Sequence, residues 1–293
     1  MSLFTGSGVA LVTPFNGDGS VNFDKLAELI EFQLKNNTQA LIICGTTGEA
    51  STLTDDEQIE TIRAAVCATK KRVPVIAGAG SNYTEHGVSL CKRAEAAGAD
   101  GLLLVTPYYN KTTPKGLIEH YEKLSAAVDL PIIVYNIQSR TGMNITPKTA
   151  KTLSGIDNIV GIKEASGNIV QIAEIAELCG DGFDIYAGND DYVIPVMSLG
   201  GKGVISTAAN IIPRQMYEMT HNYQTGDIAG AAKLQLGIME LVRALFCEVN
   251  PIPIKTALNI MGFEAGGYRL PLTSMEPANE GILRKAMENF GLI

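Results

Sequence analysis

Short apolar runs alternate with amphipathic stretches over the first 225 residues of the chain. The apolar runs have the length of strands, whereas the stretches between them carry apolar residues at helical spacing. Several runs are apolar on both faces, as a parallel sheet covered by helices requires. The predicted strands span residues 9–12, 40–44, 73–77, 101–105, 132–135, 159–163, 183–187 and 203–206.

The stretches between these runs predict helices, and prolines fall near the start of several of them. Thr54 is the expected N-cap of one helix, with Glu57 three residues further on. The predicted helices span residues 23–35, 55–68, 84–97, 114–128, 147–153, 168–179 and 213–223, with a shorter segment at 192–199.

Eight strand–helix repeats in this length predict an α/β fold of the closed (β/α)₈ type, the TIM barrel. An open, doubly wound sheet is the alternative. Such a sheet usually has a glycine-rich phosphate loop after its first strand, whereas Thr13, Pro14 and Phe15 follow the first run here. The closed barrel is therefore favoured.

The alternation stops after residue 225, and the tail reads as helices at 227–246, 254–261 and 276–289. Pro251 and Pro253 interrupt this tail, and no flexible linker separates it from the barrel. We therefore expect a catalytic barrel over residues 1–225 and a small C-terminal helical region over residues 226–293.

Composition and charge exclude several classes of function. The net charge is −8 and Lys and Arg form no strong cluster, so nucleic acid and anionic membranes are poor partners. No stretch approaches the ~20 apolar residues of a membrane span, and the N-terminus does not resemble a secretory signal. The five cysteines are widely spaced, which disfavours disulfides and a zinc site and favours a reducing, cytoplasmic location.

Polar residues gather where the predicted strands end, which is the edge of a (β/α)₈ barrel that carries catalytic groups. These segments supply glycines, hydroxyl groups, one lysine and one arginine, without the histidine and carboxylate spacing of a metal site. We therefore expect no metal and no cofactor. The segments include GTTGE at 45–49, GAGSN at 78–82, TPYYN at 106–110, SRTG at 139–142 and GND at 188–190.

Lys163 is the last residue of the sixth apolar run, and it is the strongest candidate for a catalytic residue. At a barrel mouth with apolar walls, desolvation would lower its pKa and free an amine to attack a carbonyl. A lysine at a strand end can also simply extend into water. Tyr135 closes the neighbouring strand and could transfer protons beside the amine, although a tyrosine there can equally be a core residue.

Two further segments could hold carboxylate groups. Thr46 and Thr47 lie between glycines, an arrangement that frees hydroxyl and main-chain N–H groups, although it also fits a plain tight turn. Arg140 offers a planar guanidinium for a second carboxylate, and taken alone would be read as a surface residue. Tyr108 and Tyr109 would ordinarily be read as loop packing or as an interface patch. The three histidines, His86, His120 and His221, fall on predicted helices and are interpreted as structural or solvated.

Taken in order, these motifs resemble the dihydrodipicolinate synthase family, within the superfamily of pyruvate-handling Schiff-base lyases. The resemblance covers essentially the whole chain, and the arginine in SRTG distinguishes it from N-acetylneuraminate lyases. The motifs are GVALVTPF, GTTGEAS, AGAGSN, DGLLLVTPYYNK, YN followed by SRTG, GIKEASG and AGNDD.

The resemblance implies a lyase that condenses pyruvate with aspartate 4-semialdehyde, at the start of lysine and diaminopimelate synthesis. It implies a homotetramer built as a dimer of dimers. The implied roles are an imine on Lys163, a proton relay through Tyr135, Thr47 and a Tyr109 from a neighbouring subunit, pyruvate contacts from Thr46, Thr47 and the Ile205 main chain, a carboxylate contact from Arg140, and a pocket wall at Gly188.

Two departures from the family pattern bear on these roles. Gln138 stands where the family usually has a proline, which could loosen the placement of Arg140. Asp55, Gln58 and His86 replace residues associated with feedback inhibition by lysine, although Ser51, Asn82 and Tyr108 remain. We therefore expect weak inhibition by lysine, or none.

Two other functions remain open at this stage. The nearest is another pyruvate aldolase of the same barrel, acting on N-acetylneuraminate or a 2-keto-3-deoxy sugar acid. Arg140 disfavours it, because a sugar-acid chain needs hydroxyl partners more than a second guanidinium. The other is a barrel without catalytic activity, which the presence of Lys163, Tyr135, Thr47 and Arg140 disfavours.

Overall fold

The predicted strands form a closed barrel of eight parallel strands in the computed structural model, which describes residues 2–293. Each strand pairs with the next along the chain, and the last pairs with the first. The predicted TIM barrel is confirmed. The strands are β1 (Gly6–Ala10), β2 (Ala40–Ile43), β3 (Val75–Gly78), β4 (Gly101–Val105), β5 (Ile132–Asn136), β6 (Ile159–Glu164), β7 (Asp184–Ala187) and β8 (Gly203–Ser206).

Helices connect the strands and continue beyond the barrel. The capping box predicted at Thr54 and Glu57 is formed. The helices are α1 (Phe23–Lys35), α2 (Asp55–Thr69), α3 (Thr84–Ala96), α4 (Pro114–Ser125), α5 (Gln138–Thr141), α6 (Pro147–Leu153), α7 (Ile169–Cys179), α8 (Val193–Ser198), α9 (Pro213–Gln224), α10 (Ile228–Gly237), α11 (Met239–Leu245), α12 (Ile252–Ile260) and α13 (Pro277–Phe290).

Alternate residues of each strand belong to two separate apolar layers. In β2, Ile42 packs inside the barrel, whereas Leu41 and Ile43 pack against the surrounding helices. Tyr135 of β5 belongs to the inner layer, and Ile162 of β6 belongs to the outer one. Because side chains alternate along a strand, Lys163 points into the barrel beside Tyr135.

The first strand begins three residues earlier than the apolar pattern predicts and ends two residues earlier. Its start pairs with β8, where Gly6 faces Gly203. A Cβ on Gly203 would lie 1.8 Å from the Gly6 carbonyl oxygen, so the close approach requires glycine. Leu11 and Val12, which carry the apolar signal, are buried beyond the end of the strand. The apolar pattern therefore indicates which residues are buried here, but it does not show which residues pair with β8.

The tail also differs in detail from the sequence-based expectation. The helix predicted at 227–246 is divided at Ile238 into α10 and α11. Gly237 precedes this break, and glycine weakens a helix interior. The next helix begins earlier than predicted, at Ile252, because proline is tolerated in a first turn. None of the helices described over residues 2–293 is long and apolar enough to span a bilayer.

Candidate active site

Lys163 and Tyr135 occupy paired positions on neighbouring strands. The register of β5 and β6 places them opposite each other, and each side chain is 5% exposed. The Lys163 Nζ atom lies 4.3 Å from the centroid of the Tyr135 ring. An amine and a phenol therefore lie side by side near the carboxyl ends of the strands.

The surroundings of Lys163 favour its neutral form. Burial lowers the pKa of Lys163 to about 8, with the Asp190 carboxylate acting in the opposite direction and the Arg140 guanidinium in the same one. Burial also raises the pKa of Tyr135, which keeps its phenol protonated. The pair thus combines an amine that can lose its proton near neutral pH with a hydroxyl group that can donate one.

The segment after β2 folds into a tight turn that presents two hydroxyl groups. The Gly48 N–H donates to the Gly45 carbonyl oxygen at 3.1 Å, and the Thr13 hydroxyl donates to the Gly48 carbonyl oxygen at 2.6 Å. Thr47 is buried, and its Oγ1 accepts a hydrogen bond from Asn250 Nδ2 at 2.9 Å. The turn is therefore contacted by Thr13 from the N-terminal part of the chain and by Asn250 from the C-terminal region.

Arg140 lies on the short helix α5, which follows β5 and which the sequence did not predict as helical. Its Nη2 donates to the Asn250 main-chain carbonyl oxygen at 2.9 Å. Gln138 is the first residue of this helix. The position of the guanidinium therefore depends on a four-residue helix and on one contact from the C-terminal region.

A cavity of about 250 Å³ brings most of the predicted site residues together. A volume of this size suits a small polar molecule. Ile205 and Tyr109 are not part of its wall within residues 2–293: Ile205 is buried in the barrel interior, whereas Tyr109 is 92% exposed at a φ of 69°. The predicted residues in the wall are Thr46, Thr47, Tyr135, Arg140, Lys163 and Gly188.

Gly188 contributes to the cavity because β6 and β7 approach closely at this point. Its N–H donates to the Glu164 carbonyl oxygen at 2.8 Å. A Cβ at position 188 would lie 2.6 Å from that of Ala165, which also lines the cavity. A side chain here would push against the wall next to Lys163, so glycine keeps the cavity open.

A neighbouring cavity of about 350 Å³ shares Thr46, Tyr135 and Arg140 with the first. His86 lines it and places Nε2 3.0 Å from the Asp55 carboxylate. This histidine lies on α3 as predicted, yet it is close to the strand ends, where no histidine was expected. His120 is buried, and burial lowers its pKa to about 4.

Sequence reasoning missed the contribution of the C-terminal region to the cavity. Asn250 connects Thr47 to Arg140, and Lys255 forms an ion pair with Glu49, which ends the GTTGE turn. The sequence offers one hint, the polar residue Asn250 directly before Pro251. Further residues in the wall are Ser139, Asn189, Thr207, Phe246, Glu248 and Val249.

The chemistry available at this site is that of an amine and hydroxyl groups. Within residues 2–293, no group of three His, Cys, Asp or Glu side chains is arranged to hold a metal ion. An amine with a lowered pKa, a protonated phenol and a guanidinium in one small cavity can together bind a carboxylate and attack a carbonyl carbon.

Comparisons with known proteins agree on one family. The family model described as "Dihydrodipicolinate synthetase family" matches residues 3–289. A curated 4-hydroxy-tetrahydrodipicolinate synthase from Lachnoclostridium phytofermentans is 57% identical over 294 residues, covering 100% of each chain.

Solved structures agree as well. The dihydrodipicolinate synthase from Aquifex aeolicus is 44% identical with a TM-score of 0.96, covering 99% of each chain. The lysine-bound enzyme from Cyanidioschyzon merolae is 39% identical with a TM-score of 0.97, covering 100% of each chain.

Proposed function

The chain belongs to the dihydrodipicolinate synthetase family, and we propose that Lys163 is the residue on which its reaction takes place. The activity is that of a 4-hydroxy-tetrahydrodipicolinate synthase, a lyase of the Schiff-base class in lysine and diaminopimelate biosynthesis. It condenses pyruvate with aspartate 4-semialdehyde. The observation that carries the assignment to Lys163 is its buried amine, with a pKa lowered to about 8, beside the Tyr135 ring.

Imine formation begins when the neutral Lys163 amine attacks the ketone carbon of pyruvate. A carbon–nitrogen bond forms, and the ketone oxygen leaves as water after it has gained two protons. Tyr135 is placed to supply and recover protons, and Thr47 extends the relay. Thr46 and Thr47 bind the pyruvate end. These roles are supported by the cavity that Thr46, Thr47, Tyr135 and Lys163 share. The contact from the Ile205 main chain that the resemblance implies is not supported by the cavity, because Ile205 is buried in the barrel interior outside its wall.

Loss of a proton from the methyl carbon of the imine gives an enamine, which attacks the aldehyde carbon of the second substrate. Arg140 binds the carboxylate of this substrate, and Gly188 leaves room for it. The amine of the semialdehyde then displaces Lys163 as the ring closes, which returns the free lysine. Each step uses groups that the cavity and the substrates supply.

Tyr109 enters this scheme from a neighbouring subunit. Its side chain is 92% exposed, although it is large and aromatic, and its backbone has a φ of 69°. Exposed aromatic side chains of this kind are typical of subunit interfaces. We place Tyr109 at the cavity of a second copy, where it completes the relay, and assign a homotetramer built as a dimer of dimers.

The C-terminal region, residues 226–293, forms a helical appendage that supports the site from outside the barrel. Its support is the pair of contacts from Asn250 to Thr47 and Arg140. A cytoplasmic location is supported by the cysteines, since all five lie within the described residues and are free thiols.

The experiment that tests this function is borohydride trapping. Pyruvate and borohydride should add one reduced pyruvate to the wild-type chain, detected by intact mass, and Lys163→Ala should add none. The wild type should also consume pyruvate with aspartate 4-semialdehyde. Trapping at Lys163 without turnover of the semialdehyde would instead favour a sugar-acid lyase.

A further inference from the structure

Glu248 lies in the segment between α11 and α12 and forms part of the wall of the cavity that contains Lys163. Among residues 2–293 it is the only acidic side chain in that wall, and it is half-buried. The same wall carries two cationic side chains, Lys163 and Arg140. The cavity therefore offers one anionic group as well as two cationic ones to a bound molecule.

The other carboxylates near the strand ends are buried outside this wall and already have partners. Asp190 Oδ2 accepts hydrogen bonds from two main-chain N–H groups that follow β8, at 3.1 and 2.9 Å. Glu164 accepts from Asn136 Nδ2 at 2.9 Å. Glu49 forms its ion pair with Lys255. Glu248 is therefore the carboxylate that a molecule in the cavity can contact.

One oxygen of Glu248 is fixed by the start of α13, whereas the other is available. Oε1 accepts hydrogen bonds from the Glu276 N–H at 2.9 Å and from Asn279 Nδ2 at 2.8 Å. Within residues 2–293, Oε2 has no hydrogen-bond or ion-pair partner. A side chain that is already held in place loses little conformational freedom when it binds a ligand. The geometry therefore presents Oε2 as an acceptor in a fixed position.

Arg140 and Glu248 lie close together at one end of the cavity. Arg140 Nη2 donates to the main-chain carbonyl oxygen of Asn250, two residues after Glu248, at 2.9 Å. A guanidinium binds a carboxylate, and a carboxylate binds an ammonium group. The two side chains together match the two charged groups that an α-amino acid carries on one carbon atom. A substrate with such a head group fits this end, with the rest of its chain directed towards Lys163.

We propose that Glu248 binds the α-ammonium group of aspartate 4-semialdehyde and is a specificity-determining residue for the second substrate. This inference rests on the proposed function, in which Arg140 binds the carboxylate on the same carbon atom. The contact acts while the substrate binds, before the carbon–carbon bond forms, and it adds no covalent step. Glu248 therefore selects the amino-acid aldehyde over an aldehyde of the same length that lacks the amino group.

The test compares two aldehydes in the wild type and in Glu248→Gln. Succinate semialdehyde has the carbon chain, the aldehyde and the carboxylate of the natural substrate but lacks its amino group. Glutamine keeps the shape of Glu248 and an oxygen that can accept from α13, but it loses the charge. We expect the KM for aspartate 4-semialdehyde to rise about tenfold, as for the loss of one hydrogen bond between charged groups. The Ki of succinate semialdehyde as an inhibitor should stay at the wild-type value.

Two outcomes of this comparison would overturn the inference. An equal rise in the KM and the Ki would mean that Glu248 shapes the cavity and does not bind the amino group. An unchanged KM for aspartate 4-semialdehyde would mean that the carboxylate makes no contact with the substrate.

Asn279→Ala is the matched control for a purely structural role. It removes one of the two contacts that hold Glu248 to α13 and leaves the carboxylate in place. The KM for aspartate 4-semialdehyde should stay near the wild-type value in this variant. A rise as large as that in Glu248→Gln would show that the link to α13 is what matters, and would overturn the inference.

Borohydride trapping of pyruvate separates this inference from the proposed function. Pyruvate has no amino group, so trapping should proceed at the wild-type rate in Glu248→Gln, which also shows that the variant is folded. Slower trapping in Glu248→Gln would overturn the inference. A wild-type chain that traps no pyruvate, or that traps it without consuming aspartate 4-semialdehyde, would instead overturn the proposed function, so the two failures are distinguishable.

Discussion

The Lys255 ammonium lies 2.8 Å from the Glu49 carboxylate, with both side chains fully excluded from solvent. Lys255 Nζ also donates to the Gly267 carbonyl oxygen at 2.6 Å and lies 4.2 Å from the centroid of the Phe15 ring. Glu49 ends the turn that carries Thr46 and Thr47, and Lys255 lies on α12. A buried ion pair therefore joins the C-terminal region to the turn that carries Thr46 and Thr47.

Removing one partner of this pair should lower the free energy of unfolding. Lys255→Met would leave the Glu49 carboxylate buried and uncompensated, which typically costs about 3–5 kcal/mol of unfolding free energy. Denaturant unfolding of the two chains measures the difference. Lys25→Met is the matched control, because Lys25 pairs with Glu28 and Glu264 at the surface. Equal losses in both variants would contradict a special role for the buried pair.

The rate of imine formation should follow the ionisation of Lys163. Below its pKa of about 8 the amine is protonated and cannot attack, so the rate should rise with pH up to that value and then level off. Arg140→Leu removes a cation that lowers this pKa and should move the profile to higher pH. Asp190→Asn removes an anion that raises it and should move the profile to lower pH. Pyruvate trapping across pH checks both, and shifts in one common direction would contradict the assignment.

Gln138→Pro should tighten the placement of Arg140. Gln138 is the first residue of α5, a position that suits proline because its fixed φ matches a helix start. We expect a lower KM for aspartate 4-semialdehyde, because the segment that carries Arg140 then loses less conformational freedom when the substrate binds. Gln138→Ala is the control, as it removes the side chain without restricting φ. The idea fails if Gln138→Pro leaves both Michaelis constants unchanged.

Subunit mixing tests the origin of Tyr109. Lys163→Ala and Tyr109→Phe should each be strongly impaired alone. If Tyr109 completes the site of a partner, mixed dimers contain one intact site, and random exchange should restore about a quarter of wild-type activity. Activity that stays at the level of the separate variants after exchange would place Tyr109 at its own site or outside the relay.

Lysine should inhibit this enzyme weakly or not at all. The cavity beside the site has Asp55, Gln58 and His86 in its wall, and the Asp55 carboxylate already contacts His86 and Arg93. A ligand ammonium would have to compete with these groups. Initial rates with increasing lysine measure the effect, and full inhibition at low millimolar lysine would contradict the expectation. His86→Glu is the informative variant, since it replaces the imidazole that contacts Asp55 with a carboxylate.

The sequence by itself determined the barrel and the location of its chemistry. Alternating apolar runs and helical stretches leave a parallel sheet covered on both faces as the simplest way to bury them. Polar residues that close neighbouring strands, such as Tyr135 and Lys163, must then meet at one edge, because parallel strands end on the same side. The start of β1 escaped prediction because close packing of Gly6 against Gly203 leaves no apolar signal.

Tertiary structure alone decided what holds the site in place. Asn250 and Lys255 lie more than 200 residues from Thr47 and Glu49, and their contacts depend on how the tail packs across the barrel mouth. The periodicity of apolar residues along the chain does not predict such contacts. A buried amide or ion pair depends on its partner in space and not on its neighbours in sequence. The strand ends could therefore be predicted, and the contacts that position them could not.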